Sequence, residues 1–340
     1  MELSRREFIK VCLTAAGITA AALSGLGLAR DLFAKDVPEN AYRPRYLDLE
    51  RSGELERREK ALWALLESCN LCLRQCNVNR LAGAKGVCSS AETFKVAQHA
   101  PHFGEERLLV GREGSGTIFF SNCNLLCVFC LNWEINHRGD GRQTNHAELA
   151  RMMLELQRRG CHNINLVTTT HIVPHIVKAL RLAVADGLRL PLVYNTSSYD
   201  SLEVLQLLDG IVDIYLPDFK FQDAALAARF ARNVPDYPRH AAAAIKEMHQ
   251  QVGALRQTDG IAYRGLLIRH LVMPGNSAGT DEFVRWVVSE LGPETHVNIM
   301  GQYRPMHRAN EYPPLDRPLR LDEYMQAIHW AREAGLRNFH

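Results

Sequence analysis

Cys123, Cys127 and Cys130 fall within eight residues, in the run Ser121-Asn122-Cys123-Asn124-Leu125-Leu126-Cys127-Val128-Phe129-Cys130. A short C-x3-C-x2-C loop can wrap three thiolates around three corners of one iron–sulfur cluster. Such clusters normally take four thiolates. A local set that stops at three leaves one iron able to accept an outside ligand. Phe129, just before the last cysteine, would shield the cluster and border a cofactor. A zinc site is the competing reading. Zinc prefers four ligands with paired spacings, so a fourth would have to come from His137 or from cysteines upstream. That upstream set is Cys69, Cys72, Cys76 and Cys88, with C-x2-C-x3-C-x11-C spacing. Four thiolates with two tight intervals suit either a second 4Fe-4S cluster, as an electron relay or substrate platform, or a structural zinc ribbon. Two cysteines remain of the nine. Cys12 lies in the N-terminal segment, and Cys161 reads as buried packing. Disulfide scaffolding does not suit a chain of 340 residues with 46% hydrophobic content.

The triad must be held by regular elements, and the pattern downstream supplies them. Apolar and β-branched runs predict strands over 117–121, 163–169, 191–196, 211–218, 266–273 and 296–301. Between them, helical periodicity covers 145–159, 172–186, 201–208, 223–232 with 238–255, 281–291 and 321–334. A further helix is expected over 54–67, followed by an irregular stretch containing Gly104, Gly111, Gly114 and Gly116. Six strand–helix units in series argue for an α/β fold with a parallel sheet and right-handed crossovers. Ligands bind at the carboxyl ends of such strands, and the triad lies just past the end of the first.

On these residues the chain resembles the radical SAM superfamily, through the triad spacing and the aromatic residue before the last cysteine. The resemblance implies a partial (β/α)6 barrel. It also implies a 4Fe-4S cluster whose open iron is chelated by S-adenosylmethionine (SAM), with a 5′-deoxyadenosyl radical formed on reduction. Asp218-Phe219-Lys220 and Arg269-His270-Leu271-Val272-Met273-Pro274-Gly275 look like the Asp-Leu-Lys and Arg-x-x-x-x-Pro-Gly segments of the pyruvate formate-lyase activating enzyme-like branch. That likeness implies SAM, a low-potential electron donor such as flavodoxin or ferredoxin, and a protein substrate. The reaction would then be hydrogen abstraction, as in an oxidoreductase that activates glycyl-radical enzymes.

One segment departs from the family pattern. Where many members carry Gly-Gly-Glu, this chain has Val167-Thr168-Thr169-Thr170-His171. Thr168 and Thr169 either contact SAM or are strand-end residues favoured by β propensity. Asn195 and Ser197 end the third strand and suit the ribose or the SAM carboxylate, or else form a turn. Asp218 with Lys220 would orient the SAM carboxylate, or form a plain strand-end salt bridge. Arg269 would reach the same carboxylate, while His270 alternates to the opposite face. Gln302 and Tyr303 would close the pocket. His171, His175 and His307 read as ordinary polar histidines.

The start of the chain reads as an address. Arg5 and Arg6, then Phe8 and Lys10, precede an Ala- and Gly-rich apolar stretch. This resembles a twin-arginine export (Tat) signal, and a membrane-anchoring helix is the alternative. The expected organisation is a signal segment at 1–34, a linker and cysteine-rich metal-binding segment at 35–115, and the barrel at 116–340. The product would be periplasmic or membrane-associated, or cytoplasmic if the signal does not function. A net charge of +2 without a basic run argues against nucleic-acid binding. The reading from another functional class is a non-catalytic iron–sulfur electron carrier or zinc-stabilised binding protein.

Overall fold

The computed structural model describes residues 42–340, so the twin-arginine-like segment and Cys12 lie outside the described residues. Nine strands form the central sheet: β1 Phe94–His102, β2 Ser115–Phe120, β3 Arg142–Thr144, β4 Ile164–Val167, β5 Leu192–Thr196, β6 Ile214–Pro217, β7 Arg256–Thr258, β8 Ile261–Leu271 and β9 His296–Met300. Six of them, β2, β4, β5, β6, β8 and β9, pair in parallel in that order. These are the six expected strands, each within a few residues of its expected span except for an earlier start of the fifth. Every residue of β4, β5 and β6 is buried, as continuous apolar runs require when both faces are covered.

The helices are α1 Tyr46–Arg51, α2 Glu54–Ala64, α3 Arg107–Val110, α4 His146–Arg158, α5 Val173–Ala185, α6 Leu202–Leu207, α7 Ala224–Phe230, α8 Tyr237–Val252, α9 Thr280–Glu290 and α10 Leu321–Glu333. Local chemistry explains their limits. Asn145 and Glu148 form a reciprocal capping box at the start of α4. That helix then buries Leu149, Met152, Met153 and Leu156, one apolar stripe at helical spacing. Pro174 sits in the first turn of α5, where its missing N–H costs nothing. Among the described residues, no helix is long and apolar enough to cross a membrane.

Two stretches differ from expectation. The polar region at 35–58 contains α1, anchored by buried Tyr46, whose hydroxyl donates to Leu190 O at 2.7 Å. The stretch expected to be irregular holds β1, which runs antiparallel to β2 and β3. Its pattern is weak because only Phe94 and Val96 are fully buried. Pro101 is tolerated because β3 covers only the first residues of β1, so by Pro101 the strand has become an edge. Residues 43–340 form one compact unit, in which the upstream cysteines belong to the same body as the sheet.

Two apolar clusters line the sheet. The large one holds the helices against its outer face. A smaller inner one comprises Leu109, Val193, Ile214, Leu216, Ala262 and Leu267. Strand alternation and register place Asn195, Asp218 and Arg269 on that inner side, nearer the carboxyl ends.

Candidate active site

The triad loop leaves β2 and is pinned from several directions. Asn122 N–H donates to Ile135 O at 2.9 Å, Val128 N–H to Phe230 O at 2.8 Å, and the Asn124 amide to Tyr199 O at 3.1 Å. Asn122 and Leu126 adopt left-handed φ of 75° and 59°, which turn the chain just before Cys123 and again just before Cys127. For Leu126 this costs about 1–2 kcal/mol, a cost borne where the loop must curl its thiols inward. Gly141 permits the return of the chain past Ser121. Its φ is +151°, and a Cβ there would collide with Ser121 Oγ.

The three sulfurs are close enough to feel one another and are largely buried. Leu125 N–H donates to Cys123 Sγ at 3.3 Å, and the Asn136 amide donates to Cys130 Sγ at 3.3 Å. Burial pushes the Cys127 thiol well up and the Cys130 thiol up to about 11. Metal binding must therefore drive off protons. Among the described residues, no three His, Cys, Asp or Glu side chains converge as the ligands of a single ion do. A cubane takes each thiolate on a different iron, and three neighbouring, largely buried sulfurs suit such a cluster. His137, the candidate fourth zinc ligand, has its ring nitrogen at 3.1 Å from Cys127 O and its ring against His307. Phe129 is buried against Phe221 and Tyr303, as a shield for such a cluster would be.

Beside the nest lies the pair Asp218–Lys220, at 2.8 Å. Burial alone would lower the lysine pKa. Asp218, and then the Cys127 sulfur, outweigh burial and raise it, with Cys130 adding to the effect. The ammonium is thus charged and faces both Asp218 and the sulfurs. The Tyr237 hydroxyl lies 3.0 Å from Ser197 O, from Asp218 O and from Lys220 N. One phenol so ties together the ends of β5 and β6.

The remaining candidates divide. Asn195 is buried with its amide nitrogen unpartnered, and Asn165, two residues before Val167 on the same inner face, has both amide atoms unpartnered. Two such groups facing the lumen are free to bond a polar ligand or water. Ser197 Oγ makes only a long contact with Asn124, at 3.5 Å. Thr169 Oγ1 donates to Asn195 O at 3.4 Å, and the Thr170 hydroxyl meets Thr196 Oγ1 at 3.1 Å. These two hydroxyls hold strand ends. Thr168 takes a left-handed φ of 64°, a conformation natural to the glycines that many family members carry here. Arg269 is directed elsewhere. Its guanidinium chelates Glu106 at 2.7 and 2.9 Å and also touches Glu105, and Asn298 donates to Glu106 at 2.9 Å. Tyr303, expected to close the pocket, donates to Leu315 O at 2.6 Å. His171 Nε2–H donates to Ser121 O at 2.9 Å. Burial, aided by Arg80, pushes its pKa down to about 3.

Sequence reasoning missed Glu105, Glu106, Asn165, Tyr237 and Arg80. The two glutamates lie in a loop without periodicity, and nothing local marks them. A hydrophilic residue within the buried run Ile164-Asn165-Leu166-Val167 was a usable signal for Asn165.

The sequence model of the radical SAM superfamily matches residues 117–254. An uncharacterized protein of Methanocaldococcus jannaschii is 33% identical over 279 residues, spanning 80% of this chain and 76% of that protein. Among solved structures, a radical SAM methyltransferase from Sphaerobacter thermophilus superposes with a TM-score of 0.46 at 16% identity, over 66% of this chain and 65% of that one. A methylornithine synthase superposes with a TM-score of 0.40 at 12% identity, over 88% and 83% of the two chains. With its thiolate triad at the carboxyl edge of six parallel strands, the chain carries a domain of the radical SAM superfamily.

Proposed function

We propose that the chain binds SAM on the open iron of a cluster held by Cys123, Cys127 and Cys130, and uses it to abstract hydrogen from a substrate. The observation that carries this is the half-buried Asp218–Lys220 pair beside the sulfurs. Lys220 would be a cation held for the SAM carboxylate, and Asp218 an anion held for its amino or sulfonium group. When bound, the cluster supplies one electron that cleaves a C–S bond of SAM, giving methionine and the 5′-deoxyadenosyl radical. The chain supplies orientation and exclusion of water. Asn165 and Asn195 offer hydrogen bonds to the ribose or base from the inner face. Tyr237 keeps Asp218 and Lys220 in register. Thr168 presents backbone groups in the turn that receives the amino group.

A low-potential donor such as flavodoxin or ferredoxin would deliver the electron. A protein glycine as hydrogen donor, and with it the activating-enzyme role, rests on the likeness of the segments at 218–220 and 269–275. Arg269 supports that role only indirectly, because its guanidinium is occupied by Glu105 and Glu106. The leading segment would deliver a folded, cluster-loaded chain to the periplasm or its membrane. A reporter fused to residues 1–40 loses export when Arg5 and Arg6 become lysine, if this is so. The catalytic reading is tested with reconstituted, reduced protein and SAM. Formation of 5′-deoxyadenosine and methionine, with a SAM-dependent change in the cluster's electron paramagnetic resonance, supports it. An intact reduced cluster that leaves SAM uncleaved and its resonance unmoved points to the electron-carrier reading instead.

A further inference from the structure

We propose that Cys69, Cys72, Cys76 and Cys88 bind a second 4Fe-4S cluster, whose negative charge is balanced by the buried guanidinium of Arg80. Arg80 is 0% exposed and heads the ranking of large, fully buried side chains. Its Nη1 donates to His171 O at 2.7 Å, and its Nε and Nη2 donate to Ala91 O at 3.0 and 2.9 Å. The remaining contact is Nη1 to Cys69 Sγ at 3.9 Å. Among the described residues, each of these bonds ends on a neutral carbonyl or a cysteine sulfur, and none on a carboxylate. A guanidinium stays protonated in proteins, and an uncompensated charge in the interior costs several kcal/mol. The group it points at must therefore carry the missing negative charge. Four thiolates around a cluster core do so, whereas four protonated thiols do not.

The cysteine geometry agrees. Cys69, Cys72 and Cys88 are buried and near enough to perturb one another. Cys76 is drawn to the same place by Val87 N–H, which donates to its sulfur at 3.3 Å one residue before Cys88. Gly86 leaves room for this, since a Cβ there would sit 3.0 Å from Cys76 Sγ. Left-handed backbone at Gln75, Asn77 and Ser89, with φ of 41°, 52° and 59°, folds the segment round its sulfurs. The loop also packs on the triad loop. Arg74 donates to Asn124 O at 2.8 Å and to Leu125 O at 3.2 Å. The two clusters would therefore lie near each other.

The test uses the full chain, produced without oxygen and reconstituted with iron and sulfide. The Cys123→Ala, Cys127→Ala, Cys130→Ala triple variant removes the first site, so its metal content reports the second alone, whatever becomes of SAM cleavage. It should keep about four iron and four sulfide per chain, against about eight of each in the unaltered protein. An iron-free triple variant, or one that carries one zinc per chain, overturns the proposal. In the unaltered protein, full reduction should give an electron paramagnetic resonance signal broadened by coupling between neighbouring spins. A signal identical to the sum of isolated clusters contradicts the placement. Within the triple variant, Arg80→Gln should lose at least about half of the retained iron, while Arg80→Lys, which keeps the charge, retains it. Equal iron in both removes Arg80 from its assigned role. Cys76→Ser, at the most exposed of the four ligands, is the gentlest change. It should leave a folded chain by circular dichroism with a depleted or altered cluster signal, and an unchanged signal excludes Cys76 as a ligand.

Discussion

The two cysteine loops are neighbours and are built from the same kind of residue, yet each has a different cation beside it. Lys220 lies next to the triad and is already balanced by Asp218 at 2.8 Å. Arg80 lies beside the upstream set and, among the described residues, meets only carbonyl oxygens and a sulfur. The triad also opens onto the inner face of the parallel sheet, where Asn165 and Asn195 have unpartnered amide atoms. The upstream set is wrapped by its own irregular loop. On the proposed reading, three thiolates, a balanced cation and a polar lumen would make a site that exchanges a ligand, and four thiolates beside an unbalanced cation a site that stays closed. The contrast teaches that cysteine counting is to be read together with the nearby charge and its pairing.

That contrast can be broken most directly at Cys127. Cys127→Ala should reduce SAM cleavage by at least about 10³-fold while leaving the upstream iron in place. A variant that still cleaves SAM would erase the distinction between the loops. The next largest effect is expected at Arg269. Arg269→Met strands buried Glu105 and Glu106 and should cost about 3–5 kcal/mol of stability, read by denaturant unfolding. Its pH dependence sharpens the point. Burial alone would raise the Glu106 pKa, but Arg269 and Asn298 hold it below the ordinary carboxylate range. A depressed folded pKa contributes stability above that range, which is lost as pH falls through the folded value. Without Arg269 the buried acid prefers its proton, so the gap between the two proteins should narrow on going from pH 7 to about pH 4.5. A gap that is flat or widens toward acid would remove Glu106 from this account.

At Lys220 the expected change is in ligand binding. Lys220→Met should weaken SAM by roughly 2 kcal/mol, about 30-fold in Kd, measured by calorimetry on the reconstituted protein. Asp218→Asn combined with Lys220→Met should restore much of the lost stability but not the affinity. If the single change leaves Kd alone, the pair is a structural bridge only. The smallest effect is at Thr168. Thr168→Gly relieves a left-handed conformation and should shift stability by no more than about 1 kcal/mol, with SAM cleavage within a few-fold. A larger loss of cleavage would mean that the threonine side chain itself touches the cofactor.

Much of this was visible before any tertiary contact was known. The six parallel strands and their helices follow from runs whose burial is continuous or periodic, and each sits close to its expected span. The triad was legible because a loop of eight residues sets its own geometry. Asp218 and Lys220 were legible as a pair because residues two apart at a strand end stay close in any fold. β1 was not, since its burial is sparse and its one proline reads as a stop until the limited reach of β3 is known. α1 was hidden in a polar stretch because its anchors, Tyr46 reaching Leu190 O and Glu50 meeting Arg181, have partners far away in the chain.

The sequence by itself determined the local chemistry: which thiolates share a loop, and where strands end and so where a ligand can sit. Only the tertiary structure decided how charges are paired. Arg269 meets Glu106 across a separation of 163 residues, and Arg80 meets His171 O across 91. Nothing in either neighbourhood encodes the partner. The reason is physical: a thiolate nest needs only a few residues of backbone, whereas the energy of a buried charge depends on every chain segment that the fold brings against it.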